Sequence, residues 1–376
     1  MNNRERAMAV LQYRDYDRLP IVHFGFWNET LHKWHKEGHV SSDVAQYWGD
    51  NNEYDLEVTK QLGFDFNWQP TLLLESALNP KFRIELICEL PDGKKHVRSS
   101  DGVVILWDSN ITSIQSEIDH TLKDRASWEK HYKPRLKYSE NRMKSVASYP
   151  KLIEELNADA PLGMQFGSLF GNIRNWMGME AISLLYYEDE DLYGEIIDTV
   201  ADLVYNTSKE ALDTLQAAGL TIDYAHFWED ICFKNGPLVT PHVFEEKLGH
   251  HYKRITDMAK NYGIEIVSLD CDGVIDKLLP IWLKNGVNTM FPIEVGTWGA
   301  SIAPWRELYG KDLRGVGGMN KNVFSKDKEA VDAEVRRLSE LVALGGYLPC
   351  PDHRIAPDAK WELVQYYTET MRKTFG

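Results

Sequence analysis

The chain has 376 residues, 43% of them hydrophobic, and a formal net charge of −15. This length and apolar content suffice for one large buried core, whereas the acidic charge disfavours nucleic acid and anionic membranes as partners. Four cysteines without CxxC spacing, no apolar signal core at the N-terminus and no run of 18 apolar residues predict a cytoplasmic protein without disulfides or a membrane span.

Short apolar segments alternate with amphipathic helical patterns along the chain. Eight of them are predicted β-strands, in chain order 19–24, 64–68, 162–166, 222–227, 264–269, 287–291, 313–316 and 347–349. In the second half of the chain a glycine separates each helix from the next strand, as expected where a helix ends with positive φ; these are Gly219, Gly263, Gly286 and Gly346. Strands that alternate with helices pair in parallel, and eight parallel strands are the number that closes a barrel. The sequence therefore predicts an α/β fold with one (β/α)8 (TIM) barrel domain over residues 1–376.

One segment between predicted strands two and three departs from this alternation. Residues 81–107 contain short apolar stretches separated by the turn sequences Pro91-Asp92-Gly93 and Asp101-Gly102. This pattern is typical of a meander of antiparallel strands. We expect a small β insertion, which would either cover the barrel mouth as a flap or decorate the surface.

Polar and aromatic side chains follow the predicted strands, at the end of a barrel where chemistry is located. The candidates for substrate contact are Trp27, Asn67, Trp68, Gln165, Trp228 and Asn320. The candidates for catalysis are His226, Glu229 and His353. A structural role is the alternative for several of them: the histidines could be buried core residues, and either Glu229 or the adjacent Asp230 should face solvent.

Two carboxylates follow the fifth predicted strand. Because side chains alternate along a strand, Asp270 and Asp272 should point one way and Cys271 the other. Burying both carboxylates together would cost several kcal/mol without compensation. A metal ion, a cationic ligand or a protonated acid would offset that cost. The alternative for Asp272 is a helix cap, and for Cys271 and Cys350 a role as small buried apolar residues.

Motifs in order along nearly the whole chain resemble the uroporphyrinogen decarboxylase superfamily. They are Asp17-Arg18-Leu19-Pro20, Gly167-Ser-Leu-Phe170 with Trp176-Met-Gly178, Lys234-Asn-Gly-Pro237, Asp270-Cys-Asp-Gly273, Gly317-Gly-Met-Asn-Lys321 and Gly346-Tyr-Leu-Pro-Cys-Pro-Asp-His353. The resemblance implies a (β/α)8 barrel. The superfamily contains the haem-pathway decarboxylase, methylcobamide:coenzyme M methyltransferases, and corrinoid-linked methyltransferases and demethylases.

The resemblance favours the corrinoid-dependent branch. The decarboxylase has an Arg-rich N-terminal motif that binds substrate carboxylates, and the equivalent stretch here, His23-Phe-Gly-Phe-Trp-Asn28, has no Arg. The methyltransferase branch binds zinc through His-x-Cys-Gly after strand five and a Cys after strand eight. Placing Gly273 on that Gly implies a variant site of Asp270, Asp272 and His353, with Glu229 as a possible further ligand. A register shift of one residue would make Cys271 and Cys350 the ligands instead.

We therefore expect a zinc- and corrinoid-dependent methyltransferase. Its substrate would be a small methylated compound, such as an aromatic methyl ether undergoing O-demethylation or a methylamine, and its partner a separate corrinoid protein. Zn2+ would act as a Lewis acid or activate an acceptor thiol. His226 or His353 would supply a proton to the leaving group. Trp27, Trp68 and Trp228 would form the walls of the substrate pocket. The alternatives are a decarboxylase of the same superfamily acting on another substrate, and a non-enzymatic binding barrel.

Overall fold

The computed structural model describes residues 1–111, 114–156 and 159–376. The strands are β1 (Val22–His23), β2 (Phe66–Asn67), β3 (Leu72–Leu73), β4 (Glu85–Glu89), β5 (Lys95–Arg98), β6 (Val103–Trp107), β7 (Ser116–His120), β8 (Gly163–Gly167), β9 (Tyr224–Trp228), β10 (Cys232–Phe233), β11 (Gly236–Pro237), β12 (Ile266–Asp270), β13 (Thr289–Phe291), β14 (Arg314–Met319) and β15 (Tyr347–Pro351).

The α-helices are α1 (Asn3–Leu11), α2 (Asn28–Lys36), α3 (Ser42–Tyr47), α4 (Glu53–Leu62), α5 (Arg125–Ser127), α6 (Tyr149–Leu156), α7 (Gly171–Met177), α8 (Met179–Glu188), α9 (Glu190–Ala217), α10 (Pro241–Phe244), α11 (His250–Asn261), α12 (Leu279–Lys284), α13 (Val295–Trp298), α14 (Ile302–Tyr309), α15 (Lys328–Val342) and α16 (Trp361–Phe375). A π-helical turn, Glu245–Gly249, joins α10 to α11. None of the helices in the described ranges combines the length and apolar character that a bilayer crossing requires.

The fold is mixed α/β and centres on a seven-stranded parallel sheet. Its order is β15-β14-β13-β12-β9-β8-β3, and every neighbouring pair is parallel. Strands β12 and β15 are buried at every position, as expected where both faces of a parallel sheet are covered. Each of the eight predicted strand segments overlaps an observed strand, and the four glycines that precede strands all have positive φ.

The first two strands form a separate parallel pair, β1-β2. A single parallel bridge between Phe26 and Ile355 places the chain after β1 beside the chain after β15. On the other side, the Tyr224 hydroxyl of β9 donates to the carbonyl of Trp68, just after β2. The hydrogen-bonded ladders of the described residues therefore do not form one continuous closed sheet, but their arrangement is compatible with a barrel.

The insertion is a four-stranded antiparallel sheet, β4-β5-β6-β7. The sequence predicted its end at residue 107, which was wrong: the sheet continues through β7 to His120. That strand was missed because Ser116-Glu-Ile-Asp-His120 has a single apolar residue and is largely exposed, so it carries no alternating pattern. Ile114, two residues before β7, lines the cavity described in the next subsection.

Candidate active site

A cavity of about 450 Å³ opens at the C-terminal ends of the parallel strands. This volume is typical of a site for a small organic ligand. The lining residues combine aromatic and apolar side chains with carboxylates and imidazoles: Phe24, Trp27, Gln69, Pro70, Leu73, Ile114, Gln165, His226, Trp228, Asp230, Asp270, Asp272, His353 and Arg354.

Three aspartates meet on one side of this cavity. One oxygen from each of Asp230, Asp270 and Asp272 lies within 4.8 Å of the others. Asp270 ends β12, and its parallel register with Trp228 of β9 brings the two following loops together. The Asp272 amide donates to Oδ1 of Asp230 at 3.1 Å, and the Trp228 indole donates to Oδ2 of the same carboxylate at 3.1 Å.

The electrostatics of these three carboxylates favour a bound cation. Burial, followed by the charges of Asp230 and Asp272, raises the pKa of Asp270 well above its usual value. Burial and Asp272 raise the pKa of Asp230 to about 6. Oδ1 of Asp272 is buried and has no hydrogen-bond donor among the described residues. Carboxylates suit divalent ions such as Zn2+, Mg2+ and Mn2+, so the donor set fits a metal ion.

His353 contacts this cluster from the loop after β15. Its Nε2 lies 3.3 Å from Oδ2 of Asp272, and its Nδ1 accepts the Arg354 amide at 2.8 Å. Because Nδ1 is an acceptor, we assign the proton of the neutral ring to Nε2, where it faces the carboxylate. Stacking on Trp27, with ring centroids 5.3 Å apart, fixes the orientation of the imidazole.

His226 of β9 is the second imidazole of the cavity. It is fully buried, and burial lowers its pKa to about 3, so the ring is neutral. Its Nδ1 has no hydrogen-bond partner in the described part of the chain. A neutral ring with an unused nitrogen can position or exchange a proton with a ligand in the cavity.

Two loops at the cavity contain backbone strain. Asp230 has φ +48° and Ile293 has φ +59°, both in the left-handed region that L-residues rarely occupy. Ile293 precedes Glu294, whose Oε2 accepts the Gly273 amide at 2.8 Å. Such a conformation costs about 1–3 kcal/mol per residue and persists only where the surrounding structure holds it in place. It is common at functional sites. Asp230 itself lines the cavity, whereas Ile293 precedes the glutamate that accepts a hydrogen bond from the loop carrying Asp272.

Glu229 does not join the cluster. Its carboxylate is completely buried and accepts hydrogen bonds from the backbone amides of Leu169, Phe170 and Gly171 at 2.7–2.9 Å, and from the hydroxyls of Ser168 and Tyr252. These amides lead into α7, so Glu229 caps the start of that helix. The carboxylate of this loop that reaches the cavity is Asp230.

Several other candidates from the sequence also lie outside the cavity lining. Trp68 is buried against Tyr224, with stacked rings 4.3 Å apart, and Asn67 donates to Asp50 and Asp55. Asn320 accepts the Asn322 amide at the start of a 3-10 turn. Cys271 and Cys350 are buried, and burial raises the pKa of each thiol well above its usual value. Trp27, Gln165 and Trp228 do line the cavity.

The sequence interpretation missed Asp230 and Arg354. Asp230 has the same spacing of two that relates Trp228 to His226, and this signal could have identified it. Arg354 follows His353, pairs with Asp50 at 2.6 Å and lies over the rings of Phe24 and Trp48. Its position directly after a predicted active-site residue was the one signal that could have identified it.

No protein-family profile matches the sequence, and no curated protein is significantly similar to it. In structure, the chain is similar to a methyltransferase from Methanosarcina mazei, with a TM-score of 0.60 and 14% identity over 100% of this chain and 99% of that chain. It is also similar to a B12-independent methionine synthase from Shewanella sp. W3-18-1 in complex with selenomethionine, with a TM-score of 0.49 and 12% identity over 95% and 98% of the two chains. The first likeness concerns the fold, and the second is too weak to support an argument.

Proposed function

We propose that this protein is a metal-assisted methyltransferase that moves a methyl group between a small methylated substrate and a corrinoid carried by a partner protein. The observation that carries the proposal is the group of three aspartates, with His353 beside Asp272, in a cavity that is also lined by Phe24, Trp27 and Trp228. The likeness in fold to a methyltransferase over the full chain supports it. We further propose that β1 and β2 complete a closed (β/α)8 barrel with the seven-stranded sheet.

The proposed metal ligands are Asp230, Asp270 and Asp272. Zn–O bonds of ~2.0–2.2 Å separate two ligands of one ion by at most about 4.4 Å, so oxygens within 4.8 Å need only small side-chain adjustments. His353 then orients Asp272 through its Nε2 proton. We propose Zn2+ as the ion. A bound divalent ion would supply Lewis acidity to a methyl ether or methylamine, or would lower the pKa of an acceptor thiol.

The surrounding side chains perform the remaining tasks. Trp27, Trp228 and Phe24 would exclude water and hold the methylated group against the carboxylates. An ether oxygen is a poor leaving group and needs a proton as the C–O bond breaks. We propose that His353, which carries a proton at Nε2, hydrogen-bonds the oxygen as the C–O bond breaks, and that the departing oxygen takes its proton from water. His226, which burial keeps neutral, would position the substrate in the same cavity.

The proposal is tested by methyl transfer to cob(I)alamin, followed by absorbance, with methoxybenzenes and methylamines as donors. We expect methylcobalamin to form with at least one of these donor classes. CO2 release from a porphyrinogen carboxylate, with no methylation of cob(I)alamin by any donor, would replace the proposal with a decarboxylase.

Truncation of the Trp228 wall should weaken substrate binding and leave the fold intact. Trp228→Ala removes a large aromatic contact and is expected to cost roughly 1–3 kcal/mol, or about 5- to 150-fold in Kd. The measurement is calorimetric titration with the active methyl donor. Trp107→Ala, which truncates a partly exposed ring on the insertion, is the control and should leave Kd unchanged. Equal effects of the two variants would reject Trp228 as a substrate-contacting wall.

A further inference from the structure

We infer that the protein has a second divalent-metal site, formed by Asp198 of α9 and by His250 and His251 of α11. One ligand-capable atom from each of these residues lies within 4.8 Å of the others. None of the three lines the cavity described above. The site is therefore separate from the aspartate cluster, and the inference does not depend on the proposed methyl transfer.

The geometry of this second cluster is already close to that of a metal site. Nε2 of His251 lies 2.8 Å from Oδ1 of Asp198, and the rings of His250 and His251 have centroids 3.9 Å apart. Two ligands of one Zn2+ ion lie at most about 4.4 Å apart, so a small rotation of His250 would complete the set.

Burial differs among the three residues in a way that suits a surface metal site. His251 is 5% exposed, and its Nδ1 is buried with no hydrogen-bond partner among the described residues. Asp198 and His250 are exposed, so the remaining coordination positions of an ion would be open to water. The π-helical turn that ends directly before His250 is a feature that recurs at functional sites.

The residue types define which ions this site would bind. Two imidazoles and one carboxylate suit Zn2+, Fe2+, Ni2+ and Cu2+, whereas Mg2+ and Ca2+ prefer oxygen ligands. The competing explanation is a simple contact between helices, such as the neighbouring pair of Arg254 with Asp202 at 2.7 Å. Among the described residues, no group of metal-ligating side chains includes that pair, whereas His250 lies beside the contact of His251 with Asp198. A bound ion would crosslink α9 to α11.

The test is calorimetric titration of Zn2+ into the metal-free, full-length chain prepared without a histidine tag. The Asp270→Asn variant is used as the background, so that the aspartate cluster does not contribute. We expect this variant to bind one Zn2+ ion, and the added change His250→Ala to weaken that binding roughly tenfold or more, because loss of a direct ligand should cost at least as much as loss of an outer partner. Thermal unfolding should show a Zn2+-dependent rise in Tm that His250→Ala removes.

The matched control is His242→Ala in the same background. His242 is an exposed histidine on α10, and its removal should not change Zn2+ affinity. Absence of zinc binding in the Asp270→Asn background, or equal affinity with and without His250, would overturn the second site. If the wild-type chain binds one ion that depends on His250 and not on Asp270, the second site stands and the aspartate cluster fails as a metal site.

Discussion

Replacing Asp270 with Asn is expected to abolish metal binding in the cavity and to make the metal-free protein more stable. Asp270 is only 7% exposed and lies beside Asp230 and Asp272. Neutralising one of three clustered carboxylates removes like-charge repulsion, which we expect to stabilise the metal-free fold by roughly 1–3 kcal/mol at pH 8. The same change removes a metal ligand, and methyl transfer should therefore be lost although the protein is well folded.

Urea denaturation with and without Zn2+ measures both effects on one sample. To confine the readout to the cavity, the comparison is made in the His250→Ala background. Zn2+ should raise the unfolding midpoint with Asp270 present and leave it unchanged in Asp270→Asn. Asp15→Asn, at an exposed position, is the control and should match the parent protein in both conditions. A metal-free Asp270→Asn variant that is less stable than the parent would contradict the view that this cluster is destabilising without a cation.

Glu229→Ala should have the opposite effect, with a large loss of stability. The change leaves the amides of Leu169, Phe170 and Gly171 and the hydroxyls of Ser168 and Tyr252 without their acceptor in a buried environment. Removing one partner of such a charge-assisted network costs roughly 3–5 kcal/mol. The free energy of unfolding from urea titration of the metal-free protein gives the measurement.

Asp230→Ala is the matched comparison, because it truncates the next residue of the same loop. It removes a carboxylate from the repulsive cluster, which offsets the loss of the acceptor for the Asp272 amide and the Trp228 indole, so its effect on the stability of the metal-free protein should be much smaller than that of Glu229→Ala. If Glu229→Ala proves as stable as the parent protein and loses metal binding, Glu229 is a ligand and not the cap of α7.

The alternating pattern of the sequence predicted most of the parallel sheet. Glycines with positive φ mark the helix ends before β9, β12, β13 and β15, and each is visible without a structure. The short strand β3 and the exposed strand β7 were not predictable in this way. β3 has two residues, and β7 has no apolar face, so neither produces a periodic signal.

The candidate site was predictable only where local alternation determines it. Asp270 and Asp272 line the cavity and Cys271 does not, as the alternation of side chains along a strand predicts. Asp230 continues the alternation of His226 and Trp228 along β9, and all three line the cavity, so the same pattern favoured Asp230 over Glu229 and was not used. The position of the Arg354 side chain depends on its hydrogen bond to Asp50, a residue 304 positions away in the chain. No local sequence pattern specifies such a pair.

The most direct test of metal-assisted methyl transfer compares the metal-free and Zn2+-reconstituted protein in the methylation of cob(I)alamin. We expect the chelator-treated protein to be inactive, Zn2+ to restore its activity, and Asp270→Asn to remain inactive after the same addition. The His250→Ala variant should respond to Zn2+ as the wild-type protein does. Full activity of a protein shown by elemental analysis to contain no metal would contradict the role assigned to Asp230, Asp270 and Asp272.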